Sequence, residues 1–270
     1  MQATMRTEPA TCKPILWIVV PCYNEEEILP QTMRTLELLT IDMTDEGLID
    51  ERSQVICVDD CSTDKTWNII KQAAENATSK IGGLRLGRNS GHQNVLMAGM
   101  ELSLDMADIV VTIDADLQDD PDVIPLMVKF YEEGTDVVYG VRDDRSCDTI
   151  AKRASAQAFY RIMKWLNAPI IANHADFRLM SRQAIEQLTH YDGQQLFLRG
   201  IIPQIHLPSK QVFYSRQQRL AGKSKYTLWR MLKLATDGIL CIYRGKFGDV
   251  IKQNKRELII QTINIPNKQI

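Results

Sequence analysis

The apolar residues of this chain fall into short continuous runs that end at polar or turn-forming positions. Four such runs cover residues 15–20, 55–58, 109–113 and 137–141, and a shorter apolar segment lies at 84–86. A continuous run, in contrast to an alternation of apolar and polar residues, is typical of a strand that is buried on both faces of a parallel sheet. We therefore predict five strands in the first half of the chain.

The segments between these runs carry apolar residues at helical spacing. The segment 25–39 is one example, and comparable segments follow at 62–74, 94–104 and 121–132. Strands that alternate with helices are typical of open α/β sheets. The pattern therefore predicts an α/β fold, with a doubly wound, mostly parallel sheet flanked by helices.

The alternation stops after Arg142. We predict an amphipathic helix over residues 149–166, a connector from Asn173 to Arg178, and a further helix over 182–188. Residues 226–244 again have helical spacing, with cations on one side. That segment suits either a membrane interface or packing against the rest of the protein, and the sequence leaves both open.

These patterns divide the chain into three parts. We predict a flexible leader over residues 1–14 and a main domain over 15–240, whose two halves are 15–142 and 143–240. A polar C-terminal tail over 241–270 follows. No apolar run approaches the roughly 18 to 20 residues that a spanning helix needs, so we predict no transmembrane helix.

Charge and cysteine usage narrow the class of protein. The net charge is -2 and the isoelectric point is near 6.1, whereas a protein that coats nucleic acid normally carries a strong basic excess. The region from Lys210 to Arg256 is basic, with twelve Lys or Arg and two Asp, and is where an anionic ligand or surface would bind. The six cysteines lack metal-ligand spacing, and the N-terminus lacks a signal peptide. We therefore predict a cytoplasmic protein with reduced thiols and no nucleic-acid partner.

Carboxylates follow two of the predicted strands. Asp59 and Asp60 follow the run 55–58, and the triplet Asp114-Ala115-Asp116 follows the run 109–113. Ligands of open α/β sheets bind outside the carboxyl ends of the strands, so we expect these side chains to share one crevice. Two carboxylates at alternate positions suit Mg²⁺ or Mn²⁺, which prefer oxygen ligands and also bind phosphate oxygens.

A second polar cluster follows the first strand. Tyr23, Asn24 and Glu25 lie where the chain leaves that strand and enters a helix. Tyr23 can stack on a nucleobase, and Glu25, Asp59 or Asp60 can accept the polar hydrogens of that base. The alternative is that the acidic residues here only complement the dipole of the helix, which we prefer for Glu26 and Glu27.

Six polar segments follow one another along the chain. They are Pro-Cys-Tyr-Asn-Glu at 21–25, Val-Asp-Asp-Cys-Ser-Thr-Asp at 58–64, Asn-Ser-Gly-His-Gln at 89–93, Asp-Ala-Asp-Leu-Gln-Asp at 114–119, and the stretches 175–182 and 216–226. The first four resemble the ordered motifs of family 2 glycosyltransferases. The last two are similar to the polyprenyl-phosphate branch of that family, which includes dolichol-phosphate mannosyltransferase and bactoprenol glucosyltransferase.

This resemblance implies a GT-A fold and an inverting, metal-dependent glycosyltransferase. The donor would be a nucleotide-diphosphate sugar of the UDP-glucose or GDP-mannose type, and the acceptor a polyprenyl phosphate used in cell-envelope glycan synthesis. Two alternatives stay open: a saccharide acceptor, and a non-catalytic nucleotide-sugar-binding protein. Location at the cytosolic face of the membrane also stays open, because members of this branch commonly continue into transmembrane helices whereas residues 241–270 are polar. Oligomerisation stays open as well.

The resemblance also assigns roles to individual residues. Those implied in donor binding are Pro21, Tyr23, Asn24, Glu25, Asp59, Asp60, Gly91, Gln93, Asp114, Ala115 and Gln118. Those implied in metal binding are Asp114, Asp116 and Gln118. Those implied in catalysis are Asp176, Asp116, Arg142 and Arg199. Those implied in binding the acceptor phosphate are Arg178, Arg216, Arg219, Ser224 and Lys225.

The role of Asp176 depends on the acceptor. A sugar hydroxyl must lose a proton and would need Asp176 as a general base. A phosphate monoester is already largely ionised at pH 7, so Asp176 would then orient the sugar while arginines hold the acceptor.

Overall fold

The computed structural model describes residues 12–76, 78–143, 174–191, 198–215 and 258–265. The strands are β1 (Leu16–Cys22), β2 (Gln54–Asp59), β3 (Ile81–Leu86), β4 (Ile109–Thr112), β5 (Val137–Arg142), β6 (His174–Ser181), β7 (Ser209–Tyr214) and β8 (Ile259–Ile263). The helices are α1 (Leu29–Asp45), α2 (Thr66–Ala74), α3 (His92–Ser103), α4 (Ile124–Glu132), α5 (Arg182–Leu188) and α6 (Leu198–Ile201). Short 3-10 turns cover Pro121–Val123 and Ile202–Ile205.

All eight strands join one sheet in the order β7-β5-β6-β4-β1-β2-β3-β8. The pairs β4-β1, β1-β2, β2-β3 and β5-β7 are parallel, whereas β6 and β8 run antiparallel to their neighbours. The prediction of a mostly parallel sheet flanked by helices is confirmed.

The sheet is covered on both faces, which explains the continuous apolar runs. Leu16, Ile18 and Val20 of β1 pack with α1, α2 and α4 on one face. Trp17 and Val19 of the same strand pack with α3, α5 and α6 on the other. These five side chains are fully buried, so each strand of this kind needs apolar residues at every position.

The predicted connector from Asn173 to Arg178 is wrong, because residues 174–181 form β6. This strand lies between β4 and β5 and runs antiparallel to both. Phe177 and Leu179 belong to the core on the α1 face, and Met180 belongs to the core on the α3 face. Asp176 and Arg178 share the α3 face by the alternation of a strand, and their charges concealed the strand pattern.

Strand β8 extends the sheet at the β3 edge, within the region that we predicted as a polar tail. A Cβ atom on Gly83 would lie 2.6 Å from Ile70 Cγ2 and 2.9 Å from Ile263 Cγ2. The absence of a side chain at Gly83 therefore lets α2 and β8 approach β3 closely. Within the ranges that the structure describes, no helix is both long and apolar enough to cross a membrane.

Candidate functional site

The carboxyl ends of β1, β2 and β4 meet at one edge of the sheet. Cys22 at the end of β1 pairs with Asp59 of β2, and Val19 pairs with Thr112 at the end of β4. The segments that follow these strands therefore border one crevice. Pro21 lies in β1 opposite Val58, and Tyr23, just beyond the strand, is 39 % exposed.

The loops after β1 and β2 are joined by hydrogen bonds. Asn24 N–H donates to Ser62 Oγ at 2.9 Å, and Thr63 N–H donates to Asn24 Oδ1 at 2.9 Å. Asn24 and Cys61 adopt left-handed φ angles of 52° and 59°, which turn both loops sharply. Glu25 N–H donates to Thr66 Oγ1 at 2.9 Å. The two loops thus form one preorganised wall of the crevice.

Asp59 and Asp60 have different surroundings. Asp59 is fully buried beside Arg85, whose Nε lies 3.4 Å from Asp59 Oδ2 and whose guanidinium lies 5.7 Å from the ring centroid of Trp67. Asp60 accepts the main-chain N–H groups of Ser90 and Gly91 at 2.6 and 3.0 Å.

These contacts give the two aspartates different structural surroundings. Asp60 holds the loop that carries Gly91, whereas Asp59 and Arg85 present an acceptor and a donor side by side. We did not predict Arg85, because a single cation in a short strand carries no local signal. Contact of Asp59 or Asp60 with a nucleotide stays a prediction.

The segment 114–119, which we call the acidic loop, is tied to α1. Buried Thr32 Oγ1 donates to the main-chain oxygen of Ala115 at 2.6 Å, between the two predicted metal ligands. Leu117 adopts a left-handed φ of 49°, and Gln118 N–H donates to Asp116 Oδ1 at 3.3 Å. The loop therefore turns sharply just after Asp116, with the left-handed backbone that is often found at functional sites.

Asp176 is the most heavily paired carboxylate of the site. Arg199 binds it with two N–H groups, Nε to Oδ1 and Nη2 to Oδ2, both at 3.1 Å. Arg178 Nη2 donates to Oδ1, and Gln93 Nε2 lies 3.5 Å from Oδ2. Burial alone would raise the pKa of Asp176, but Arg199, His92 and Arg178 hold that pKa well below its ordinary value. Asp176 is therefore ionised at neutral pH and is a weak base.

His92 connects the two sides of the crevice. Its Nε2 atom lies 3.2 Å from Asp176 Oδ2 and 3.8 Å from Asp114 Oδ1. Burial would lower the pKa of His92, but the hydrogen bond with Asp176 and the charge of Asp114 raise it above the ordinary value. We did not assign His92 a role in the site, although its position in the Asn-Ser-Gly-His-Gln segment was a signal that could have identified it.

The structure pairs Arg178 with a carboxylate of the site. The side chain of Arg178 is only 1 % exposed, and its guanidinium is paired with Asp176. Binding of the acceptor phosphate by Arg178 stays a prediction. The side chain of Arg199 is 42 % exposed and can contact a ligand while bound to Asp176.

Arg142 contacts the acidic loop. Its Nε and Nη2 atoms lie 3.0 and 2.8 Å from Asp119 Oδ1. We did not predict Asp119 as a site residue, although it closes the Asp-Ala-Asp-Leu-Gln-Asp segment. Direct participation of Arg142 in catalysis stays a prediction. Arg216, Arg219, Ser224 and Lys225 lie outside the described residues.

The donor atoms of the acidic loop fit a hard divalent cation. Asp114 and Asp116 offer only carboxylate oxygens, as Mg²⁺ and Mn²⁺ prefer. The pKa of Asp114 is raised, first because surrounding protein removes part of its hydration and further because Asp119, Asp176 and Asp116 repel its charge. In the part of the chain that the structure describes, no group of three or more His, Cys, Asp or Glu could hold a metal by itself. A cation here would need further ligands, such as phosphate oxygens.

Comparison with known proteins agrees with this arrangement. The family model described as glycosyl transferase family 2 matches residues 17–189. The chain is 46 % identical over 227 residues to the uncharacterized glycosyltransferase YkoT of Bacillus subtilis (strain 168), covering 84 % of this chain and 67 % of that protein. It is 34 % identical over 223 residues to the bactoprenol glucosyl transferase of Shigella phage SfX, covering 82 % and 70 %.

A solved structure supports the fold. The mannosyltransferase PcManGT of Pyrobaculum calidifontis, in complex with GDP-Man and Mn²⁺, superimposes with a TM-score of 0.58 at 18 % identity, covering 91 % of this chain and 67 % of that one. This likeness confirms the predicted GT-A fold. The chain spans about two thirds of the length of the proteins it matches. The family model and the identity to YkoT over most of the chain establish that this protein belongs to glycosyl transferase family 2.

Proposed function

We propose that this protein transfers a hexose from a nucleotide-diphosphate sugar to a polyprenyl phosphate, with inversion at the anomeric carbon. The observation that carries this proposal is that the neighbours of Asp176 hold its carboxyl group ionised. This carboxylate is paired with two arginines and has a strongly lowered pKa, so it is poorly suited to remove a proton from a sugar hydroxyl. A phosphate acceptor is already ionised and needs no such base.

The proposal gives each side of the crevice a role. The loops after β1 and β2, with Asp59 and Arg85, hold the nucleotide. Asp176, held by Arg178 and Arg199, orients the transferred sugar. The exposed part of Arg199 attracts the acceptor phosphate, since a guanidinium binds phosphate well.

Asp114 and Asp116 would hold Mg²⁺ or Mn²⁺ together with the diphosphate of the donor. A cation there neutralises the charge that develops on the leaving nucleoside diphosphate. Support comes from the all-oxygen donor set of the acidic loop and from the complex of the P. calidifontis mannosyltransferase with GDP-Man and Mn²⁺.

The lipid acceptor is supported by the 34 % identity to the bactoprenol glucosyl transferase of Shigella phage SfX. Because polyprenyl phosphates lie in membranes, the protein would work at a membrane surface.

The test is a reaction with defined acceptors. Purified protein is incubated with Mn²⁺ or Mg²⁺, with UDP-glucose or GDP-mannose, and with a short polyprenyl phosphate, the matching polyprenol or a free saccharide. We expect release of nucleoside diphosphate and a glycolipid only with the phosphorylated lipid, and an inverted anomeric configuration by NMR. Transfer to the free saccharide alone would contradict the lipid acceptor, and donor binding without release under any condition would contradict catalysis.

A further inference from the structure

Three side chains from distant parts of the chain meet at the last residue of the acidic loop. We call Asp119, Arg142 and Tyr214 the Asp119 cluster. Tyr214 O–H donates to Asp119 Oδ1 at 2.5 Å, and the two N–H groups of Arg142 donate to the same oxygen. Arg142 Nε also lies 3.4 Å from the Tyr214 hydroxyl oxygen. One carboxylate of the acidic loop is therefore held by the last residues of β5 and β7.

The strand pairing brings these residues together. Arg142 and Tyr214 are register partners in the parallel pair β5-β7, and Asp143 N–H donates to the main-chain oxygen of Tyr214 at 2.9 Å. The cluster is thus attached to a hydrogen-bonded pair of strands.

Tyr214 also contacts the strand that carries Asp176. Its ring meets Phe177 edge to face, with ring centroids 5.4 Å apart and an interplanar angle of 82°. The approach depends on Gly140 of β5, because a Cβ atom there would lie 2.6 Å from Phe177 Cδ1 and 3.1 Å from Tyr214 Cε1. Tyr214 therefore touches the acidic loop through its hydroxyl group and the neighbour of Asp176 through its ring.

The contacts of Asp119 leave its carboxylate little freedom. Its side chain is 1 % exposed, and its second oxygen, Oδ2, is buried without a hydrogen-bond partner. The Arg142 and Tyr214 donors on Oδ1 therefore determine how the carboxylate, and with it the end of the acidic loop, is oriented. The pKa of Tyr214 is raised, mainly by burial and further by the charge of Asp119, so its hydroxyl group keeps the proton that it donates.

We propose that Tyr214 is a positioning residue, which acts through Asp119 and Phe177 to fix the acidic loop relative to Asp176. This inference rests on the proposed function, because the proposed function assigns metal and diphosphate binding to the acidic loop. Without the hydroxyl group the loop keeps its carboxylates but loses their alignment. The effect falls on the metal-nucleotide complex and on turnover, because misplacement of reacting groups by about 1 Å can cost on the order of a hundredfold in rate.

The test is Tyr214→Phe, which keeps the ring and removes only the hydroxyl group. Binding of Mn²⁺ in the presence of UDP or GDP is followed by electron paramagnetic resonance, and kcat and KM are measured with the donor and acceptor that the wild type uses. The matched control is Tyr131→Phe, which removes a hydroxyl group from α4. A second variant, Arg142→Lys, keeps the charge beside Asp119 but loses the paired N–H contacts.

We expect Tyr214→Phe to bind Mn²⁺ with the nucleotide about tenfold more weakly, the loss that one charge-assisted hydrogen bond represents. We also expect a lower kcat, a melting temperature lowered by a few degrees because a buried carboxylate loses one of its donors, and a smaller loss of Mn²⁺ affinity and kcat for Arg142→Lys. Wild-type Mn²⁺ affinity and kcat in both variants, or an equal loss in Tyr131→Phe, would overturn the positioning role. A wild-type protein that binds no Mn²⁺ with either nucleotide would overturn the proposed function itself.

Discussion

Asp176 illustrates how the neighbours of a side chain decide its chemical role. The resemblance to family 2 glycosyltransferases identified it as an acidic residue near the reacting sugar, with its role left open between base and orienting group. The structure adds two arginines and a histidine around it, and these hold its pKa well below the ordinary value. The charge of Asp176 therefore stabilises the fold as well as the site.

This pairing predicts a pH-dependent contribution to stability. A carboxylate with a lowered folded-state pKa stabilises the protein above its unfolded pKa of about 3.9, and loses that contribution as the pH falls through the folded-state pKa. We expect Asp176→Asn to lower the free energy of unfolding by about 3–5 kcal/mol at pH 7, because Arg178 loses its partner in the core. Urea denaturation measures the difference, which should shrink below about pH 4.

The control for that measurement is Asp42→Asn, an exposed carboxylate on α1. We expect a change within about 0.5 kcal/mol at either pH, since surface substitutions rarely do more. A constant difference between the wild type and Asp176→Asn from pH 7 to pH 3 would contradict the lowered pKa.

Among the elements, β3 shows how backbone packing limits the choice of residue. Its glycines look unsuited to a strand, because glycine is depleted in strands. Gly83 nevertheless lies against α2 and β8, and Gly82 lies against Ile56 of β2 and Ile265, so their lack of a side chain is a packing requirement. A strand-forming residue at this point would weaken the sheet.

We expect Gly83→Ala to lower the free energy of unfolding by about 1–3 kcal/mol, the usual cost of overfilling a core. The added methyl group would lie within 3 Å of Ile70 and Ile263, so either α2 or β8 must shift. Urea denaturation checks this, with Gln261→Ala on the exposed side of β8 as the control. Equal stability of the two variants would mean that α2 and β8 can make room for the methyl group without lowering the free energy of unfolding.

At the scale of the whole molecule, ligand binding and stability are linked. A ligand that binds only the folded protein stabilises it by about 2.7 kcal/mol at a hundred times its Kd. For a protein of this size, that free energy corresponds to a rise in Tm of roughly 5–10 °C with Mn²⁺ and UDP or GDP, and we expect EDTA to reverse the part due to the metal. Differential scanning fluorimetry measures both changes.

The variant for this experiment is Asp116→Asn, which keeps the shape of the side chain and removes one predicted metal ligand. Asp116→Asn should show no Mn²⁺-dependent rise in Tm, and its metal-dependent turnover should fall at least tenfold. The control Asp42→Asn should show the wild-type rise in Tm and the wild-type turnover. A full Mn²⁺ response in Asp116→Asn would remove this residue from the metal site.

The sequence by itself determined the first five strands, their burial on both faces and the crevice at their carboxyl ends. This was possible because continuous apolar runs and the polar residues that end them are local features. The order of these runs was enough to assign Pro21, Asp59 and Asp114 to one edge of the sheet, since parallel strands end on the same side.

Only the tertiary structure decided which side chains pair inside the crevice. Asp176 meets His92 across 84 positions of sequence, Asp119 meets Tyr214 across 95, and β8 pairs with β3 from the far end of the chain. No local periodicity reports contacts of that range, and β6 was missed because its two buried charges are tolerable only once they are paired. The neighbours that set the charge of Asp176 and the orientation of the acidic loop are therefore products of the fold.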